Sequence, residues 1–247
     1  MDRMVYLAMS GAKQMLQAQA MAANNLANAS TTGFRADLEA MRAMPLFGPG
    51  APSRVYAMAE RPGIDFKPGA IEQTGNDLDV AIQGDGFIAV QAPDGSEAYT
   101  RAGNLTLNAN GMLQTGSGLQ VLGNGGPIAV PPAETMQIGV DGTISIRPVG
   151  QAANTLAQLD RIKLVNPPLS QLTKGTDGLF HMKDGSTAPA DAMVKVQQGA
   201  LEASNVNSVS EMVNMITLQR NFELQVKAMH TAEQNDSAAT QLMNMSA

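Results

Sequence analysis

GALEASNVNSVSEMVNMITLQRNFELQVKAM, residues 199–229, decides how the rest of this 247-residue chain is read. Beyond Gly199 it contains no Gly or Pro, and Ser208 and Glu211 stand in the S-x-x-E spacing of a capping box. Val209, Met212, Ile216, Gln219, Phe222, Val226 and Met229 recur at steps of three and four, which predicts one helical face. A helix from Ser208 to about Asn235 would be roughly 40 Å long. One apolar seam of that length barely offsets the entropy of ordering the residues that carry it, so the rod needs neighbours.

The other end of the chain holds a matching pattern. Met4, Leu7, Gly11, Met15, Ala18, Ala22 and Leu26 form a second seam at helical spacing, and its Gly and Ala residues would admit another helix closely. The pattern breaks at residues 24–35, NNLANASTTGFR, where Asn, Ser and Thr compete for backbone hydrogen bonds and Gly33 frees the backbone. From Ala36 to about Ala70 periodicity is lost. Pro45, Gly48-Pro49-Gly50, Pro52, Pro62-Gly63 and Pro68-Gly69 predict an extended connection, with a disordered linker as the alternative.

Residues 71–191 read as short strands between Gly-rich turns. Leu78–Ile82 and Phe87–Val90 flank Gly84-Asp85-Gly86 as an expected hairpin. Asp94-Gly95, Asn110-Gly111, Asn124-Gly125 and Asp141-Gly142 mark further turns between the runs Leu105–Leu107, Leu119–Leu122, Ile128–Val130 and Thr143–Ile146. Arg161–Val165 and Leu179–Met182 complete the set, and the close spacing suggests a compact all-β domain.

Composition narrows the function classes. A net charge of −6 argues against nucleic acid as a main partner. Residues 1–70 carry seven basic and five acidic groups, whereas residues 191–247 carry three and six, so the two ends have opposite sign. That would steer their association more than stabilise it. Seventeen Met suit either a surface packed against several neighbours or plain core filling. With no Cys there is no disulfide framework or thiolate chemistry. No membrane span is expected, and the opening residues lack the pattern of a cleavable signal peptide. His181 falls in a predicted strand and His230 on the terminal helix, so no His-based metal cluster or triad is visible, and no nucleophile elbow or phosphate loop occurs. Neither catalytic, cofactor-binding nor metal-binding residues are expected.

ANNLANASTTGFR (residues 23–35) together with GALEASNVNSVSEMVNMITLQRNFE (residues 199–223) resembles the axial proteins of the bacterial flagellum, the rod, hook and hook–filament junction subunits. DVAIQGDGFIAV (79–90) and AYTRAGNLTLNANGMLQT (98–115) are similar to the β domain that rod and hook subunits share, and the opening MDRMVYLAMSGAKQ with GFRAD looks like the basal-body rod proteins of the proximal rod. Thr32 stands where the family often has Pro. The resemblance implies an α+β fold: long terminal helices in a coiled-coil-like bundle (residues 1–70, including the extended segment, and 192–247), with a central all-β domain (71–191) inserted between them. It implies a non-catalytic proximal-rod subunit that polymerises through its helices into a tubular drive shaft. The partners would be proximal and distal rod subunits, copies of itself and the flagellar type III export apparatus, and assembly would occur in the periplasm. Expected interface residues are Met4, Leu7, Met15, Leu26, Val209, Met212, Ile216, Phe222, Val226 and Met229 on the seams. At polar or turn positions matching the family motifs they are Asn24, Asn25, Asn28, Gly33, Phe34, Ser204, Asn205, Gln219, Arg220 and Glu223. A distal-rod subunit, a secreted β-domain enzyme or sugar-binding protein with helical arms, and a cytoplasmic coiled-coil adaptor stay open as alternatives.

Overall fold

The computed structural model describes residues 3–45, 55–150 and 156–245, so Gly48-Pro49-Gly50 and Pro52 lie outside the described residues. The fold is α+β and falls into two compact units. A helical unit takes residues 1–29, 36–66 and 206–247; a strand-rich unit takes residues 30–35 and 67–205.

In the helical unit, α1 (Arg3–Ala27) and α2 (Ser208–Met245) pack side by side and antiparallel: Ala18 and Ala22 meet Leu218, while Gly11 lies near Gln225. At Gly11 an added Cβ would sit 3.1 Å from the Gln225 side chain, so the small residue sets the close approach. The start of α2 differs from the capping box expected at Ser208. Asn207 is the cap: its Oδ1 accepts the Ser210 N–H at 3.0 Å and its carbonyl accepts the Glu211 N–H at 3.0 Å. Ser208 is already the first helical residue, and Glu211 Oε2 is buried without a hydrogen-bond partner.

The face of α2 that packs within the chain also differs from the seam read from the sequence. Leu218 and Ala232 are buried and Met215, Phe222, Gln225 and Met229 half-buried, a set at steps of three and four. Val209, Met212, Ile216 and Val226 lie outside it and are exposed. Apolar residues occupy more than one face of this helix, so periodicity alone could not say which one turns inward. On α1 the inward face is Ala8, Gly11, Ala12, Ala18, Ala22 and Asn25.

Between the helices in sequence, where loss of periodicity predicts an irregular connection, β1 (Asp37–Pro45) and β2 (Val55–Ile64) form a long antiparallel pair. The register jumps from Leu38↔Gly63 to Ala40↔Glu60, which puts Arg61 and Pro62 in a bulge. There the missing proline N–H breaks no ladder bond, so a residue that reads as a strand breaker is tolerated.

The strand-rich unit runs β3 (Ile71–Gln73), β4 (Val80–Gln83), β5 (Phe87–Gln91), β6 (Glu97–Thr100), β7 (Leu105–Leu107) and β8 (Leu113–Thr115). It continues with β9 (Ala133–Ile138), β10 (Thr143–Pro148), β11 (Ala157–Arg161), β12 (Leu164–Val165), β13 (Leu172–Lys174), β14 (Phe180–Met182), β15 (Lys195–Gln198) and β16 (Ala200–Glu202). A five-stranded sheet has the order β12-β5-β6-β14-β13, a three-stranded sheet β11-β10-β9, and β15-β4, β16-β3 and β7-β8 pair separately. The turns at Asp94-Gly95, Asn110-Gly111 and Asp141-Gly142 each join antiparallel neighbours.

The Gly84-Asp85-Gly86 hairpin does not form. β4 pairs with β15, whereas β5 pairs with β12 and β6, so the turn is a corner between sheets. Both strands are almost wholly buried rather than alternating, and at Gly86 (φ +132°) a Cβ would lie 2.6 Å from the Val194 side chain. The core is one cluster of aliphatic side chains from Val80 to Val196, with Ile88, Val90, Leu113, Val121, Ile144 and Ile162 near its centre.

Candidate functional site

The residues expected to matter divide between outward helical surfaces and a buried clasp. On α1, Met4 is exposed, Leu7, Met15 and Leu26 are half-buried, and Met15 packs on the Ala18–Ala22–Leu218 cluster. On α2, Val209, Met212, Ile216, Gln219, Arg220, Glu223 and Val226 are exposed, with Phe222 and Met229 half-buried. Val213 and Leu224 on α2, and Tyr6, Met9 and Leu16 on α1, add exposed apolar surface that the spacing argument did not single out.

The polar motif residues near the end of α1 are engaged inside the chain. Asn25 is 4% exposed, and its amide grips the backbone of Asp37, donating to the carbonyl and accepting the N–H, each at 3.0 Å. Asn24 is exposed and its carbonyl accepts the Asn28 side-chain amide at 2.9 Å, closing the last turn of the helix.

Residues 30–35 belong to the strand-rich unit and dock there as a plug. Gly33 has φ +68°, donates its N–H to the Glu202 carbonyl at 2.7 Å, and lies so close to Arg101 that a Cβ would come within 2.3 Å of its carbonyl carbon. Phe34 lies under the Lys174 ammonium at 3.8 Å, and that ammonium also donates to the Arg35 carbonyl at 2.8 Å. The Arg35 guanidinium, 1% exposed, pairs with Glu202 Oε1. Arg101 donates to Glu202 Oε2 at 3.0 Å and to the Gly84 carbonyl at 2.7 Å, and lies 5.4 Å over the Phe87 ring. Burial pulls the Arg101 guanidinium below its usual range, and Glu202 opposes that shift. Glu202 Oε1 accepts the Gly69 N–H at 2.9 Å. Asn205 completes the clasp, its backbone N–H reaching the Phe34 carbonyl at 3.3 Å and its side chain the Lys67 carbonyl at 3.0 Å. Ser204 beside it is half-buried.

Arg35, Arg101 and Glu202 were not singled out by the sequence reading, although each lies in a stretch that carries the family resemblance. Two cations flanking one acid, spread over three motifs, was the available signal. The carboxylate and both guanidinium groups of the clasp are buried. In the strand-rich unit, a trough of about 710 Å³ is lined by Asn108, whose Oδ1 accepts the Asn110 and Met112 N–H groups, and by Glu134, whose carboxylate pairs with Arg147. A second cavity of about 370 Å³ presents Asp184 and Asp191, whose carboxylates are held by Ser186 and by the Met193 N–H. Among the described residues no cluster of His, Asp and Glu has metal-binding geometry, and no helix is long and apolar enough to cross a membrane.

One unit holds two long helices with exposed apolar residues, and the other holds a buried clasp of two arginines and a glutamate. Against family models, residues 6–35 match "Flagella basal body rod protein", residues 81–146 "Flagellar hook protein FlgE/F/G D1 domain", and residues 197–242 "Flagellar basal body rod FlgEFG protein C-terminal". The chain is 45% identical to the flagellar basal-body rod protein FlgF of Escherichia coli and 43% identical to that of Salmonella typhimurium, over the full length of both partners in each case. It is also 35% identical to the FlgG rod protein of Buchnera aphidicola, over 89% of this chain and 91% of that one. The chain belongs to the flagellar basal-body rod protein family, in its FlgF-like group. It is a structural subunit of the basal-body rod. Each matched segment supplies one charged member of the clasp: Arg35, Arg101 and Glu202.

Proposed function

We propose that this chain is a proximal-rod subunit whose terminal helices, in a coiled-coil-like bundle, pack with those of copies and related proximal- and distal-rod subunits. The flagellar type III apparatus exports it, it assembles in the periplasm, and it has no catalytic role. The helical unit, residues 1–29, 36–66 and 206–247, is the assembly part and the strand-rich unit, residues 30–35 and 67–205, the β domain, in place of the expected boundaries 1–70, 71–191 and 192–247. One observation carries this reading: α1 and α2 pack on each other with one face apiece and still leave Met4, Tyr6, Met9, Leu16, Val209, Met212, Val213 and Ile216 exposed. Contacts of that kind between non-identical faces need not close into a ring, and open-ended contacts build filaments.

A strain lacking the protein should stop at an incomplete rod, build no hooks and be non-motile, with the full chain restoring all three. Hooks assembled without the protein, or rescue by residues 71–191 alone, would overturn the proposal.

A further inference from the structure

α2 carries two unlike apolar patches about seven helical turns' reach from end to end. Near its start Val209, Met212, Val213 and Ile216 are exposed by 68, 50, 59 and 54%, at positions i, i+3, i+4 and i+7. They make one continuous stripe. One turn further on stands Arg220, exposed and in no ion pair among the described residues. Toward the other end of α2, a groove of about 500 Å³ opens between the two helices. Tyr6 and Met9 of α1 and Val226 and Met229 of α2 supply its apolar lining, and the exposed Glu233 also lines it.

We infer that the groove receives the Val209–Ile216 stripe of a second copy of this chain, with the incoming Arg220 set toward Glu233. This rests on the reading of the chain as a rod subunit and names the surfaces that join. The stripe has the anchor spacing by which an amphipathic helix occupies an apolar groove. The cation follows the stripe and Glu233 lines the groove, so the charges match as well as the apolar surfaces. A molecule cannot fill its own groove this way. Val213 and His230 are roughly 25 Å apart along one helix, and the helix between them has no Gly or Pro at which to fold back. The contact is therefore between molecules and joins unlike surfaces, leaving one free stripe and one free groove after each addition.

The absence of Cys from the chain makes the test clean. Ile216→Cys and Met9→Cys are made as separate full-length variants, with Val213→Cys and Val226→Cys as a second pair should either of the first fail to fold by circular dichroism. Oxidation of an equimolar mixture of the concentrated proteins should give a disulfide-linked dimer. Each variant oxidised alone should give at least tenfold less. Arg220→Glu added to the Ile216→Cys chain should cut the mixed dimer about tenfold, and Glu233→Arg in the Met9→Cys chain should restore it. No mixed dimer from either pair, equal dimer from one variant alone, or failure of the charge exchange to restore the dimer would overturn the inference. Should the native chain still restore hooks in the deletion strain, the rod-subunit reading stands and only the pairing of these surfaces falls.

Discussion

Replacing Glu202 by Ala tests the clasp directly. The carboxylate holds two guanidinium groups and the Gly69 N–H, in a place where Arg35 and Glu202 are 1% exposed and Arg101 5%. Donors already exceed acceptors, since Arg35 Nη1 and Arg101 Nε are buried without a hydrogen-bond partner. Removing the one anion leaves two buried cations facing each other, and breaking a buried ion pair from one side costs about 3–5 kcal/mol. Total stability is about 5–15 kcal/mol for a typical domain, so the loss is a large fraction of it. With a urea slope of about 2 kcal/mol/M, the midpoint should fall by about 2 M. Tyrosine emission is a suitable probe, because the chain has no Trp and Tyr99 is fully buried in the same unit. The triple variant Arg35→Met, Arg101→Met, Glu202→Leu should lie within about 2 kcal/mol of the native chain, because it removes the charges together with their desolvation penalty. A midpoint shift below about 0.5 M for Glu202→Ala, or a triple variant as weak as the single one, would refute the electrostatic account.

Gly33→Ala should cost about 2–5 kcal/mol in the same urea titration, because the new Cβ meets the Arg101 backbone at 2.3 Å and φ is +68°. Leu218→Ala, which empties a buried contact against Ala18 and Ala22, should lower the stability of the isolated chain by about 2–4 kcal/mol. Ile216→Ala, 54% exposed, should change it by less than about 0.5 kcal/mol and act on assembly instead, read as loss of swimming with normal thermal unfolding. Tyr99 links stability to alkaline pH. Burial raises its hydroxyl from 10.0 to about 12, so its stabilisation is complete below pH 10 and is lost as pH rises from 10 to about 12. Tyr99→Phe should start less stable, since its hydroxyl accepts the Ala188 N–H at 2.6 Å and donates to Glu97 at 3.0 Å, but should show a flatter decline across that window in pH-dependent melts.

Much of the fold was legible because it rests on local signals. Gly and Asn or Asp at a tight turn report their own backbone, so the β5–β6, β7–β8 and β9–β10 connections could be placed from dipeptides alone. The existence of both helices followed from composition and spacing, while the inward face of α2 did not. Ile216 and Leu218 are equally apolar letters, and only the position of α1 makes one exposed and the other buried. The same limit explains the missed ribbon: β1 and β2 need each other to be strands, and neither has a periodicity strong enough to announce itself. At Gly84–Gly86 a correct turn signal was joined to the wrong pairing, because β4 finds its partner in β15, more than a hundred residues away.

The clasp is the extreme case of that limit, and it bears on why both terminal motifs are needed at once. Gly33 and Glu202 are distant in sequence, so their hydrogen bond carries the entropy of closing nearly the whole strand-rich unit as a loop. A single bond and an ion pair, each worth only about 1–3 kcal/mol net, do not offset that cost alone. The aliphatic core from Val80 to Val196 must already hold β3 and β16 in place before Glu202 can find Arg35, Arg101 and Gly69. The plug at residues 30–35 thus reads out a completed β core. Once seated, it ties together the points where the chain leaves that unit, at Arg35, Lys67 and Asn205. A motif of this kind looks polar and loop-like in the sequence because its partners are supplied by the fold. Its charged members serve the unit's interior.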